Sequence, residues 1–418
     1  MRDVRSVLVP LLFVFALAWA ARASITATYV DKIDGTEQGA WNKFRFPSDV
    51  LVYDGKLYIV DTGNARVEIY NASDNRYIRS IGGITGSETG QFTNPMCIYI
   101  DASGIYISDT RNHRIQVYGL DGGFVKTIGA TGGGGEVNQF YNPCGVFVIE
   151  DRIYVADTFN DRIQVFNITE NHWITQFGSH GSLDDKFFHP IGMRLENDKI
   201  YISDSLNDRV QIYSGNFTFL ARFGWGEGSA RLKSPWNFWF ANDRIYVADS
   251  GNNRIAVFSA RNYSFVGSIG TYGSEKGQFD SPRGVYVQGN KMYVADTNNN
   301  RVQIFTLTDT ELVSEALLRT EASDALNNAN AAINNLKSML NTASGITIRA
   351  DDLAVPSASA AQEAYDSGNY LSALSLALST ADDAGNKSAL AEYRMYDWVF
   401  NQLASMKLKL NRVTSALA

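Results

Sequence analysis

The chain has 418 residues, 45% of them apolar and 12% aromatic, with a formal net charge of −7. This composition excludes a disordered or fibrous chain and supplies apolar material for more than one domain. The acidic balance argues against a nucleic-acid backbone as partner.

At the amino end, Arg2 and Arg5 precede the apolar run Val7 to Trp19, and Ala21-Arg22-Ala23 puts small residues where a signal peptidase reads. Residues 1–23 are therefore expected to be a signal peptide, with an uncleaved anchor as the alternative. Their removal takes away three Lys/Arg and one Asp and leaves a mature charge of −9. No later stretch is apolar enough to span a bilayer, so the expected location is secreted or cell-surface, without a transmembrane anchor once the signal is gone.

Next comes a lone strand pattern, "ITATYVDKI" at 25–33, and then one unit six times over: "LYIVDTGNARVEIY" (57–70), "IYISDTRNHRIQVY" (105–118), "IYVADTFNDRIQVF" (153–166), "IYISDSLNDRVQIY" (200–213), "IYVADSGNNRIAVF" (245–258) and "MYVADTNNNRVQIF" (292–305). The spacing is 45–48 residues, and a proline (Pro47, Pro95, Pro143, Pro190, Pro235, Pro282) stands fourteen residues before each aspartate. Three residues before each proline is Phe44, Phe92, Phe140, Phe187, Leu232 or Phe279, expected as a buried anchor. Within a unit, β-branched and aromatic residues alternate with polar ones, the period of strands. The third unit predicts strands over 145–149, 152–156, 162–166 and 173–177. Four strands per repeat of this length make a propeller blade. The sixth unit offers only three strands, ending near 307, so 25–33 is expected to complete it and close the ring. The predicted fold is an all-β six-bladed propeller over 24–308, closed by its amino-terminal strand.

The Phe-x-x-Pro spacing and the Asp-Thr/Ser-x-Asn-x-Arg core resemble the NHL repeat, whose members form six-bladed β-propellers. The resemblance spans 25–308 and speaks to fold far more than to function. Relatives that bind RNA through a basic face, or that follow RING-type zinc domains, have features this sequence lacks. In the similar propeller of peptidylglycine amidating lyase, histidines after the proline place a zinc on the axis. Here that position reads Ser48, Met96, Cys144, Ile191, Trp236 and Arg283, which argues against that activity. An axial calcium, as in propeller lactonases, would draw on Asp49 and Asn237, two places after their prolines, but the other blades offer Cys97, Gly145, Gly192 and Gly284. No cofactor is predicted, and calcium stays as the alternative. His113, His172, His180 and His189 are spread over different loops and faces, so no three are expected to converge.

Asp61, Asp109, Asp157, Asp204, Asp249 and Asp296, with Arg66, Arg114, Arg162, Arg209, Arg254 and Arg301, recur in every blade. They are expected to be structural: Asp accepting from turn amides, Asn tolerating left-handed backbone, Arg satisfying carbonyls across the turn. A ligand in one orientation breaks sixfold symmetry, so function belongs to positions that differ. On the face of the Asp-Asn-Arg turns these are Trp41, Arg111, His113, Phe159, Trp225, Trp236 and Arg283, candidates for stacking on a sugar or anchoring a protein. The alternative for Trp239, and for Trp236, is simple core filling. Cys97 and Cys144, the only cysteines, either pair or stay as inert buried thiols. Asn-x-Ser/Thr triplets occur at Asn71, Asn167, Asn216, Asn262 and Asn386, and the first four fall between third and fourth strands, on the opposite face.

From 309 the period becomes helical. Thr308 and Glu311 fit a capping box, and Ala322, Leu326, Ala329, Ile333, Leu336 and Leu340 follow helical spacing. Val399, Leu403, Met406, Leu410, Val413 and Leu417 do the same. A small α-helical bundle over 309–418 is expected, able to dock or to self-associate. The function that best fits is a non-enzymatic binding or scaffold protein with a protein or carbohydrate partner at the cell envelope. Its rivals are a propeller hydrolase or lyase with an axial site and a component of a surface layer or filament.

Overall fold

The computed structural model describes residues 25–36, 43–129 and 132–309. The signal segment, Trp41, Asn386 and the expected helices beyond Asp309 lie outside them.

Six four-stranded sheets form the blades. Blade three is typical: Val146–Ile149, Arg152–Asp157, Arg162–Asn167 and His172–Phe177 pair antiparallel in sequence order. Blade six takes Pro282–Gln288, Lys291–Asp296 and Arg301–Asp309 from one end of the propeller and Ile25–Ile33 from the other. Its third strand runs on to Asp309, so Thr308, expected to cap a helix, is strand. First strands contact first strands of neighbouring blades and so surround the axis. The strands form here because alternate residues have a blade to pack against. In Arg152–Asp157, Ile153 and Val155 join one interblade core, and Tyr154 and Ala156 join the next. The anchors Phe92, Phe140, Phe187, Leu232 and Phe279 are fully buried, and Phe44 nearly so.

The turns between second and third strands and the loops between blades share one end of the ring, called the upper face below. The turns between third and fourth strands, with Asn71, Asn167, Asn216 and Asn262, lie at the lower face.

The repeated Asp-Thr/Ser-x-Asn-x-Arg segment forms a short turn, 3-10 in blades one to five, with its Asp and Arg directly paired. In blade four, Asp204 Oδ1 accepts the Phe188 amide at 2.7 Å, and Oδ2 accepts from Asn207 (2.9 Å), Arg209 Nε (2.7 Å) and Gln211 (2.9 Å). Arg209 Nη2 then donates to the carbonyls of Leu183 (2.6 Å) and Lys186 (3.0 Å). The backbone partners are thus in the incoming loop, a third to a half of a repeat upstream, rather than in the turn itself. The cluster staples the loop to the blade. Burial pushes the carboxyls of Asp61, Asp204, Asp249 and Asp296 up, and the donors around each pull them back down.

The left-handed residue is not the repeated Asn but the one after it: Ala65, His113, Asp161, Asp208, Asn253 and Asn300, with φ of 53–57°. The Asn is occupied in donating to Asp. The residue after it latches onto the next blade, accepting the amide that precedes the next proline: His189 to Asp161 (2.7 Å), Ser234 to Asp208 (2.8 Å), Ser281 to Asn253 (2.8 Å) and Phe46 to Asn300 (2.8 Å). Alanine at position 65 cannot do this. A second latch explains the hydroxyl after five of the six Asp residues. Thr62, Thr110, Thr158, Ser250 and Thr297 donate to the carbonyls of Pro95, Pro143, Pro190, Pro282 and Pro47, and the last of these bonds closes the ring.

His113, expected at the binding face, belongs to the first kind of latch. Its Nδ1 accepts the Asn142 amide at 3.1 Å, which places its proton on Nε2. Burial, and then the neighbouring Arg111, hold its pKa below the ordinary 6.5. The unfolded chain therefore takes up a proton first as pH falls. The latch contributes in full above about 6.5 and is lost as pH drops through the lower folded value. Replacing His113 with Asn, the residue at this place in blades five and six, is expected to narrow the difference in melting temperature between about pH 7.5 and pH 5, by an amount equivalent to about 0.5–1.5 kcal/mol. Melting curves at both pH values check this, and an unchanged difference would count against the latch.

Candidate functional site

Two regions differ around the ring: the axis and the upper rim. At the axis, the row just after the prolines brings Met96, Cys144, Ile191 and Trp236 together with Cys97 in one apolar cluster. Cys97 and Cys144 are joined in a disulfide that links the first strands of blades two and three. The next row is closed by backbone. A Cβ on Gly145 would lie 2.0 Å from the Ile191 carbonyl oxygen, and one on Gly192 would lie 2.6 Å from that of Trp236. The glycines that leave the calcium pattern incomplete are therefore there to let neighbouring blades touch. Asp49 and Asn237 hydrogen-bond each other at 2.8 Å, and Asp49 also accepts the amides of Val50 (2.9 Å) and Ile98 (3.0 Å). Burial pushes the Asp49 carboxyl up, opposed chiefly by the charge of Arg194. Among the described residues, no group of three or more His, Cys, Asp or Glu is placed to hold a metal ion.

Lower on the axis is Arg194, a residue the sequence reading passed over. It is almost wholly buried, its guanidinium lies 4.8 Å from the centre of the Trp239 ring, and it feels the charge of Asp49 across the channel. Trp239 also packs on Tyr286, with centroids 4.3 Å apart, in keeping with core filling. Nearer the mouth, Arg283 repeats the arrangement on Trp236 at 4.2 Å. Burial alone lowers the pKa of Arg283.

On the rim, Phe159 stacks on His189 with centroids 4.5 Å apart and meets Tyr141 edge-on at 5.4 Å. His189 is held neutral-leaning by burial, and His180 bonds Asp161 at 2.8 Å. Arg111 is exposed in blade two. Trp225 is exposed in the loop entering blade five, under the Arg222 guanidinium at 4.3 Å. The fold brings Trp236 to Arg283 and Phe159 to His189, while Arg111 and Trp225 stand apart. The counterparts of Phe159 in blades one and five, Gly63 and Gly251, are set by space: a Cβ there would sit 2.8 Å from the carbonyl of Arg45 or Lys233.

The six-sheet ring, with its Asp-Arg staple in every blade, matches known families in sequence as well. A model of the NHL repeat matches residues 240–258 and 279–305, and a model described as a 6-bladed beta-propeller matches 42–130. The NHL matches fall in blades five and six. Solved structures similar to this propeller include an auxiliary nutrient binding protein from Bacteroides thetaiotaomicron, at 13% identity and TM-score 0.50, covering 68% of this chain and 77% of that one. A streptogramin B lyase is similar at 12% identity and TM-score 0.45, covering 70% and 99%. Kuenenia stuttgartiensis hydrazine synthase is similar at 12% identity and TM-score 0.45, covering 65% and 99%. At such identities the likeness is one of fold. No curated protein matches the sequence.

Proposed function

We propose that the chain is an exported, non-enzymatic binding protein whose upper propeller face engages a protein at the cell surface, with the segment after 309 docking or oligomerising it. One observation carries this: each of the six loops between blades puts a large apolar side chain into solvent on that face, namely Phe46, Ile84, Val137, Leu183, Trp225 and Tyr272. Leu183, Trp225 and Tyr272 are 73%, 63% and 70% exposed. Apolar side chains gathered on one face mark a binding surface, and the aliphatic members favour a protein over a sugar. The recurring Asp, Asn and Arg groups are consumed inside the blades and leave no repeated polar code on the rim. The lower-face sequons, if glycosylated, leave the upper face uncovered.

The test is crosslinking of the full chain on its native cell surface, comparing the parent with Leu183→Glu, Trp225→Ala and Tyr272→Glu, and with the lower-face control Leu120→Glu. The upper-face changes are expected to reduce a protein crosslink by about tenfold or more, as for central apolar anchors, and the control to leave it unchanged. A crosslink indifferent to the upper face, or one removed by glycosidase and not by protease, would overturn the proposal.

A further inference from the structure

The axial mouth poses a separate question, independent of what binds the rim. Arg283 Nε and Trp236 Nε1 are both buried and have no hydrogen-bond partner among the described residues. They belong to one stacked pair. Buried N–H groups are nearly always met by protein, water or ligand, because leaving them bare costs free energy. No carboxylate of the described residues pairs with Arg283. Asp49, on the first strand of blade one, is held by three donors and offset by Arg194. Beside this pair the surroundings are apolar: Trp236 and Met96 both pack against the cluster of Ile191, Cys97 and Cys144. One residue further along their strands, Gly145 and Gly192 lie tight against the backbone of the next blade. The mouth thus brings a cationic fork and an N–H donor beside carbon and sulfur, in a chain of net charge −7.

We propose that the mouth of the axial channel binds a small organic carboxylate, its oxygens taken by Arg283 and Trp236 and its carbon body laid against Met96, Ile191 and the disulfide. A guanidinium fork matches the planar, two-oxygen geometry of a carboxylate. The apolar surroundings select an organic anion over inorganic phosphate.

Titration calorimetry of the full chain with hexanoate, hexanamide and inorganic phosphate tests the assignment. Hexanoate is expected to saturate one site per chain, with hexanamide and phosphate at least about tenfold weaker, the loss typical of a charge-assisted pair. Arg283→Gln should weaken hexanoate about tenfold or more, Arg283→Lys less, and Trp236→Phe, which keeps the ring and loses the donor, by a few-fold. Trp225→Ala on the rim should bind hexanoate as the parent does, which separates this site from the rim proposal. Melting curves report whether each variant folds; if Arg283→Gln does not, Trp236→Phe and the hexanamide comparison decide. Absence of saturable hexanoate binding, equal binding of hexanamide, preference for phosphate, or parent-like binding by a folded Arg283→Gln would each overturn the proposal.

Discussion

A chain lacking Ile25–Ile33 is expected to lose its cooperative melting transition and to aggregate. That strand is the fourth of blade six and lies beside Arg301–Asp309. Ile25 joins the core shared by blades five and six, with Val257, Ile269 and Leu307, and Ile33 joins the core that includes blade one. Tyr29 meets Phe305 edge-on, with centroids 6.1 Å apart. Two buried isoleucines and a half-buried tyrosine correspond to roughly 5 kcal/mol at about 1.5–3 kcal/mol per large apolar side chain. That is of the order of the whole stability of a typical domain, about 5–15 kcal/mol. The loss falls where the two chain ends of the ring meet, and it uncovers Arg301–Asp309 as an edge strand able to pair with another molecule. Circular dichroism melting with size-exclusion chromatography checks the outcome. A monomer melting at the parent temperature would mean that the Thr297–Pro47 and Asn300–Phe46 bonds close the ring unaided.

Asp204→Ala is expected to destabilise the propeller by about 3–5 kcal/mol, the range for removing one partner of a buried ion pair. Asp204 is inaccessible and Arg209 is 1% exposed. The substitution strips acceptors from the Phe188 amide, Asn207, Arg209 and Gln211 together. Arg209 retains the loop carbonyls of Leu183 and Lys186 and a longer approach to Asp184 at 3.7 Å, but Asp184 is half in water and screens poorly for the lost partner. Chemical denaturation of parent and variant measures the difference, and a change within about 0.5 kcal/mol, as at an ordinary surface position, would mean the staple is dispensable.

Much of this architecture is legible in the sequence because its signals are local. Alternation within ten residues fixes the strands, and the invariant spacing from proline to aspartate shows where insertions are forbidden. The three-strand remainder of the last repeat points to the closing strand at 25–33. The latches were not legible, because each joins residues of different blades. The hydroxyl of Thr158 is constant in type around the ring, but its partner, the Pro190 carbonyl, has no sequence signature. His113 misleads for the same reason. As a lone histidine on a variable turn it suggests a binding residue, while its equivalents Asp161, Asp208, Asn253 and Asn300 show that in five blades the place holds an acceptor on left-handed backbone. Arg194 carries no such signal: it lies four residues past Pro190 and matters only once Trp239 of the next blade and the charge of Asp49 are brought to it.

The central claim is that residues repeated around the ring are its frame and that the exceptions carry recognition. Melting midpoints of the six single variants Arg66→Ala, Arg114→Ala, Arg162→Ala, Arg209→Ala, Arg254→Ala and Arg301→Ala, beside Arg111→Ala and Leu206→Ala on the exposed turn position, test it most directly. Losses of about 3 kcal/mol at the staple predict midpoints lower by roughly 6–12 °C for the most buried arginines, Arg209 and Arg66, at about 2–4 °C per kcal/mol in a domain of this size, with Arg111→Ala and Leu206→Ala unchanged. Staple variants that melt with the parent yet lose the surface crosslink would contradict the claim and make the repeated arginines the binding code.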